Sequence, residues 1–452
     1  MPDPSAEPLV VHVDVSDTLR SAWRAGIQRV VVQLVDHLRT ADERVRLVPV
    51  VWSAPLRAHR HLRPEELDDL LGHGVRAAPP APSPRPAAVL AVGRPVARAI
   101  RVVRRAIGAT LRALRLREPL RDAVRWASLR TVHKDHVALA VGDLPAGSVL
   151  FDLDTVWNQT TVDREELYAQ LRRRGVHVAA LVYDLLPVEH PEWFEQSLVE
   201  VFDRALTAQA RHAELVLAIS AASAGSFERF ARERGLDPEP PTVVGLGADA
   251  LDDAATASTS TPLPAEVPRR RYALVVGTVE PRKNHRVLLD AFEELWSRGE
   301  NLHLVVVGRP GWENDAVVRR LEEHPRAGDT LHWFRTAGDD LLWSLYEQAL
   351  VVAVPSATEG FGLPVIEAFG HGVPVVASDR GALPEVGGQL AEYVDPDDVS
   401  GWAAALARHL SGPAHNDARR AALADYEPPT WSRSAAAVAG HLVDRFSVDP
   451  GR

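Results

Sequence analysis

Short apolar, β-branched runs alternate with helical stretches along the chain, and they do so in two series. The first is LVVHVDV (9–15), RVRLVPVVW (44–52), SVLFDLD (148–154), GVHVAALVYDLLP (175–187), ELVLAIS (214–220) and PTVVGLG (241–247). Runs of this kind read as buried strands. Between them, GIQRVVVQLVDHL (26–38) places Ile27, Val30, Val31, Leu34 and Leu38 at helical spacing, and AASAGSFERFARERG (221–235) is a second helical stretch. The second series is YALVVGT (272–278), a helix over about 284–298, LHLVVVG (302–308), ALVVAVPS (349–356) and VPVVAS (373–378), closed by the helical WSRSAAAVAGHLVDRF (431–446). Strand alternating with helix predicts parallel sheets and an α/β class. The Ala/Ser/Thr/Pro-rich stretch 252–271 reads as a linker. The expected organisation is a Rossmann-like domain over 1–251, a second over 272–428, and a last helical segment, 429–452, packing back on the first. Two such domains face each other across a cleft, the usual place for a ligand.

A net charge of −10 over 452 residues argues against a nucleic-acid partner. The absence of cysteine excludes disulfide and thiolate chemistry and fits a cytoplasmic protein. No apolar run approaches the ~20 residues needed to cross a bilayer, and the acidic, Pro-rich start lacks a secretory pattern. An insert at about 79–135 breaks the first series. It opens on PPAPSPRP (79–86), and residues 85–134 carry 13 basic against 2 acidic side chains. Val96, Ile100, Val103, Ile107, Leu111 and Leu114 fall on one helical stripe, with Arg94, Arg98, Arg101, Arg105 and Arg112 opposite. A basic amphipathic helix over 95–130 is a pattern for an anionic membrane surface, which would place the protein peripherally on the inner face. The alternative is a helix packed on the protein's own acidic domain.

In open α/β sheets, ligands bind beyond the carboxyl ends of strands, where helix N-termini point N–H groups outward. Three turns of the second half have that form. One ends at Gly277-Thr278 and carries Arg282 and Lys283. Another is Gly308-Arg309-Pro310. The third is EGFGLPVIE (359–367), with Pro364 suited to a first helical turn. Gly360 and Gly362 let backbone approach a ligand, so the amides of Phe361, Gly362 and Leu363 could face phosphate. Arg282 supplies a bidentate fork and Lys283 a point charge. Lys283 is one of only two lysines, with Lys134, among 51 basic residues. Glu367, a turn into the helix, suits a ribose diol, and Glu359 suits sugar hydroxyls. The acids and the anion turn thus grip different parts of one nucleotide-sugar. The RPGW turn could flank a base or be a plain turn. Asp14, Asp17, Gln28 and Arg29 could face an acceptor or could cap helices and pair on the surface. Trp23 and Trp157 read as packing residues.

The pair Glu359/Glu367 resembles the E-x7-E motif of family 4 retaining glycosyltransferases, which have the GT-B fold of two facing Rossmann-like domains. GTVEPRKN resembles that family's diphosphate-binding turn in its mannosyltransferase-like branch. GVPVVASDRGALPEVGG, YVDPDD, DVSDTLRSAWRAGIQRVV and VYDLLPVEHPEWF are similar to further stretches of it. The resemblance implies a retaining transfer of a sugar, GDP-mannose being the first candidate donor, to a glycan or lipid-linked acceptor. It implies that Arg282 and Lys283 bind the diphosphate, Glu367 the ribose, and Glu359 with the 361–363 amides the sugar and phosphate. Gly26 would bring a helix N-terminus to the diphosphate, and Gly308–Pro310 would flank the base. Two positions depart from the family pattern: Ala25 stands where Thr is frequent and Tyr183 where His is frequent, while Asp184 is retained. A side-chain role of that His therefore does not carry over to 183, though a backbone role could, and Tyr183 is grouped with Asp14, Gln28 and Arg29 on the acceptor side. FDLD (151–154) is similar to the D-x-D metal motif of the other glycosyltransferase fold, but reads better as a strand end with helix-capping acids. The 18 histidines show no metal-ligand spacing, so no metal or other cofactor is expected. The rival readings are a nucleotide-sugar epimerase of the same architecture and a non-catalytic membrane-docked scaffold.

Overall fold

A computed structural model describes residues 7–21, 26–53, 58–72, 138–140 (backbone), 144–159, 162–248, 262–269 and 271–447. Trp23, Ala25 and the basic insert lie outside the described residues. Among those residues, no helix is long and apolar enough to cross a membrane.

The strands are β1 (Leu9–Asp14), β2 (Val45–Ser53), β3 (Ala58–His61), β4 (Ala138–Ala140), β5 (Val149–Asp152), β6 (His177–Val182), β7 (Leu215–Ala218) and β8 (Thr242–Val243) in the first half. The second half has β9 (Tyr272–Val276), β10 (His303–Val307), β11 (Leu331–Phe334), β12 (Val351–Val354), β13 (Val375–Ser378) and β14 (Glu392–Val394). They form two sheets, ordered β4-β3-β2-β1-β5-β6-β7-β8 and β11-β10-β9-β12-β13-β14. The second sheet is parallel throughout. The first departs from the all-parallel expectation, because β3 runs antiparallel to both β2 and β4. Four residues separate β2 from β3. That length closes a hairpin but cannot hold the crossover a parallel pair requires.

In each sheet the strand order reverses beside the first strand of the series, between β1 and β5 and between β9 and β12. Such switch points open a crevice at the carboxyl ends of the strands. The turn bearing Arg282 and Lys283 follows β9, and the EGFG turn follows β12, so both flank one crevice.

The first core packs Val11, Val13, Phe151, Leu181 and Leu217 against the helix Ile27–Ala41 through Val30, Val31, Leu34 and Leu38. The last helix, Trp431–Phe446, completes it with Trp431, Val438, Leu442 and Phe446. The chain therefore crosses between domains twice, and the crossings touch. Ala248 N–H donates to Pro429 O at 2.8 Å, and a Cβ on Gly247 would fall 2.7 Å from Trp431 Cα. Part of the expected linker 252–271 packs on the second domain. Val267 is buried and Leu263 partly buried against the core around Leu274, Val305 and Val375. Two apolar anchors tie residues 262–269 to the second domain.

Candidate active site

The turns after β9 and β10 hold each other. Val279 N–H donates to Arg309 O at 2.9 Å, and Gly311 N–H to Val279 O at 3.0 Å. Gly308 has φ 157°, and a Cβ there would clash with the Gly277 carbonyl, so the two backbones meet only because Gly308 has no side chain. The Gly308-Arg309-Pro310 turn is thus paired along the Thr278-Val279 segment. Pro281–Lys283 forms one 3-10 turn, and Asn284 follows in the left-handed region at φ 49°, its side-chain Nδ2 donating to Pro396 O at 2.8 Å.

This turn aims both cations at one carboxylate. Arg282 Nη1 lies 2.9 Å from Glu359 Oε2, and Lys283 Nζ lies 2.5 Å from Glu359 Oε1. Ser356 Oγ donates to Oε1 at 2.6 Å, and Arg282 Nε also lies 2.6 Å from Glu280 Oε1. Ala357 N–H donates to Arg282 O at 2.7 Å, tying the two turns by backbone as well. Burial pushes the Glu359 carboxyl up, but Lys283 and Arg282 outweigh it and hold it at about 2. Burial works against the Arg282 charge too, and Glu359 and Glu280 more than offset it. Glu359 therefore stays ionised across physiological pH.

The same turn docks on the first domain. Gly360 O accepts from Ser220 Oγ at 2.6 Å; Ser223 Oγ lies 3.1 Å from it and donates to Tyr183 O at 2.6 Å. Phe361 and Leu363 pack on the first core. Gly362 enters the helix Leu363–Gly370 at φ 109°, with Pro364 in its first turn. Glu385 reaches across to the helix Ala221–Glu233, accepting from the Ala221 and Ala222 amides at 2.8 and 3.2 Å. Asp184 sits at this junction. Burial raises its pKa and Arg282 lowers it, leaving a net rise. Its Oδ1 accepts from Leu186 N–H at 3.2 Å.

Glu367 is 4 % exposed and has both oxygens engaged. Arg29 Nη1 donates to Oε1 at 2.6 Å and Tyr346 Oη to Oε2 at 2.7 Å. Arg29 lies in the first turn of the helix Ile27–Ala41, which Gly26 opens at φ 54°. Arg29 thus pairs with an acid of the second domain, the pairing alternative that the sequence left open.

Of Asp14, Asp17 and Gln28, only Asp14 is buried. Asp14 is fully buried and accepts from Ser16 N–H, Gln159 Nε2 and Arg164 Nη2 at 3.0, 3.1 and 3.1 Å, with His59 Nε2 3.2 Å away. Burial opposes the charge, and His59, Arg164 and Ser16 outweigh it, holding the carboxyl well below the usual range. Asp14 is thus a structural acid. Asp154 of FDLD caps the helix Ser16–Arg20, accepting from the Asp17 and Thr18 amides at 2.9 and 2.8 Å. Asp17 binds Thr155 Oγ1 at 2.5 Å and lies 3.5 Å from Gln28 Nε2. Tyr183 turns its hydroxyl inward to Leu153 O at 2.6 Å, so only its carbonyl faces Gly360. Trp157 packs edge-on against Phe202 at 4.7 Å.

Buried groups of opposite habit set the acid response. Burial above all lowers His12 to about 4 and His285 to about 3, so both fold neutral. Below the unfolded value of about 6.5 the unfolded chain binds more protons, and stability falls with pH. Desolvation raises Asp152 and Asp154 to about 6; between there and about 3.8 the folded chain binds more protons, which opposes the loss. Below about 4.5, Glu359 and Glu392, each held at about 2, add a further loss. Urea unfolding against pH is expected to show a shallow slope between about pH 6 and 4.5, then a steep fall. A steep fall starting at pH 6.5 would mean that Asp152 and Asp154 fold ionised.

Residues 264–426 match the family described as glycosyl transferases group 1. That stretch takes in most of the second domain. The chain is 34 % identical over 243 residues to the serotype-specific mannosyltransferase WbdA of Escherichia coli, a match covering 51 % of this chain and 30 % of that relative. It is 30 % identical over 296 residues to the MMP alpha-(1->4)-mannosyltransferase of Mycolicibacterium hassiacum, covering 64 % of each. The chain thus matches under a third of the WbdA relative's length and under two thirds of the other's. Among solved structures, Anabaena HepE in complex with UDP and glucose superposes with a TM-score of 0.55 at 16 % identity, covering 97 % of this chain and 95 % of that one. Sucrose-phosphate synthase of Thermosynechococcus elongatus gives 0.56 at 18 % identity, over 96 % and 98 %. These likenesses establish the fold. The two α/β domains have the GT-B arrangement expected from the sequence, and the resemblance to the mannosyltransferase branch is borne out by the relatives.

Around Glu359 and Glu367, nothing in the sequence pointed to Ser220, Ser223, Tyr346 or Trp343. Each lies on a regular helix or cap with no special spacing to the motif. The capping position of Ser220, which accepts from Ser223 N–H at 3.0 Å, was the one local signal available.

Proposed function

We propose that this protein is a retaining glycosyltransferase that moves a hexose, mannose first, from a nucleoside-diphosphate sugar to a glycan or lipid-linked acceptor in cell-surface polysaccharide synthesis. The observation that carries the reading is the convergence of Arg282 and Lys283 on Glu359 beside the helix Leu363–Gly370, with Asp184 facing them from the other domain. Both cations lie where a diphosphate would exchange with the Glu359 carboxylate. The leaving diphosphate gains charge as the glycosidic bond breaks, and two cations with a helix N-terminus meet that charge without a metal ion. Glu359, released from the cations, accepts from sugar hydroxyls. The leaving phosphate takes the acceptor's proton. The mannosyltransferase relatives named above support the choice of sugar.

A screen of nucleoside-diphosphate sugars with glycan and lipid-linked acceptors, read as product and linkage, tests the assignment. GDP-mannose turnover with retained anomeric configuration is expected, undiminished by EDTA. Isomerised donor without acceptor would identify an epimerase instead. The basic stretch 95–130 is proposed to dock on anionic membrane; co-sedimentation with anionic vesicles, lost on deleting 86–134, is the expected result, and no binding by the full chain overturns it.

A further inference from the structure

Arg29 and Trp343 are unused in the reading above, yet they lie where the nucleoside half of a donor would go. A ribose diol needs the Glu367 carboxylate oxygens, and Arg29 holds one of them at 2.6 Å. The other binds Tyr346, whose hydroxyl proton is secured because burial and the adjacent Glu367 raise its pKa well above the usual value. The Arg29 guanidinium carbon also lies 5.1 Å from the centroid of the Trp343 ring. That ring is one member of an aromatic wall: Trp343 stacks with Tyr346 at 5.9 Å and with His371 at 5.5 Å, and Tyr346 with His371 at 5.7 Å and 9°. Trp343 is partly exposed, while Tyr346 beneath it is buried. A guanidinium is planar, delocalised and weakly hydrated, and it lies on an indole face as a flat heterocycle does. One side chain from the first domain thus makes both contacts a nucleoside would make, a hydrogen bond to Glu367 and a flat face on Trp343.

We propose that Arg29 occupies the nucleoside seat as a self-ligand, that Trp343 is the platform of that seat, and that the nucleoside of an incoming diphosphate donor displaces the guanidinium from both Glu367 and Trp343. The inference rests on the reading of Glu367 as the ribose acid. The two occupants compete for the same carboxylate oxygen, so they exclude each other. Arg29 belongs to the first domain and Glu367 to the second. Binding therefore exchanges a bond between domains for a bond to ligand, and donor occupancy becomes coupled to how the domains engage. The diphosphate cations belong to the second domain alone, so bare pyrophosphate leaves the Arg29 bond untouched.

Calorimetric titration of the full chain with inorganic pyrophosphate, GDP and UDP separates the parts. The wild type is expected to bind pyrophosphate and at least one nucleoside diphosphate. Arg29→Ala is expected to tighten the nucleoside diphosphate about tenfold, the worth of one charge-assisted hydrogen bond released, and to leave pyrophosphate within about twofold. Trp343→Ala is expected to weaken the nucleoside diphosphate about tenfold, the worth of one base stacked on an aromatic ring, with pyrophosphate unchanged. Thermal melts confirm folding, and Arg29→Gln replaces Arg29→Ala if the latter does not fold. Unchanged or weakened nucleoside diphosphate binding by the Arg29 variant overturns the self-ligand. Unchanged binding by Trp343→Ala overturns the platform. A wild type that binds neither pyrophosphate nor nucleoside diphosphate overturns the donor-site reading itself, a result distinct from either.

Discussion

Replacing Lys283 with alanine is expected to lower kcat for sugar transfer about 10²–10³-fold, the loss typical when one preorganised group facing transition-state charge is removed. Lys283 is placed for this by its surroundings. Its aliphatic stem lies along Gly277, whose Cα would carry a Cβ 3.4 Å from the stem, and its ammonium ends on Glu359 Oε1. A diphosphate arriving there exchanges one anionic partner for another, so the ammonium need not be desolvated anew. The variant is expected to fold with little loss, because Glu359 keeps Arg282 and Ser356. Lys283→Arg is expected to recover part of the rate, having the charge but not the compact head. The readout is steady-state turnover of the best donor beside a thermal melt. Unchanged kcat in the alanine variant would remove Lys283 from the mechanism.

Gly360→Ala is expected to separate function from folding. A Cβ at 360 would lie 2.5 Å from Tyr183 O and 2.8 Å from Asp184 Cβ, both in the opposite domain. Either domain alone has room for that methyl; the docked pair does not. Alanine therefore pushes the EGFG turn off the first domain and weakens the Ser220 bond to the 360 carbonyl. A displacement near 1 Å at the reacting groups costs on the order of 10²-fold in rate. Activity is expected to fall at least that far, while the melting temperature moves by only a few degrees. Small-angle scattering is expected to show a more open molecule. Equal loss of stability and activity would show instead that Gly360 is needed to fold its own domain.

The α/β pattern was legible because strands such as β5, β7, β12 and β13 are fully buried and so read as continuous apolar runs. The short strands β3, β4, β11 and β14 gave no such run, and the antiparallel edge of the first sheet went unread with them. The RKN and EGFG turns were legible because glycine, proline and a rare lysine have local reasons to stand where they do. Asp14, Asp17, Gln28 and Arg29 were ambiguous for the opposite reason. Carboxylates and guanidinium groups serve caps, cores and ligands alike, and only the partner decides. Asp14 meets Arg164 and Gln159 in a dry interior, Asp17 meets Thr155, and Arg29 meets Glu367, 338 residues away in sequence.

The sequence by itself determined two α/β domains, the turns that end their strands, and the residue types those turns offer to an anion, since each follows from short-range propensity and pattern. Only the tertiary structure decided which acid answers which cation. That choice depends on the fold of both domains and on the two touching crossings at Gly247 and Pro429–Trp431, which set one domain against the other. Electrostatic pairing falls off over a few ångströms, and distances of that order between residues hundreds of positions apart exist only once the chain has folded.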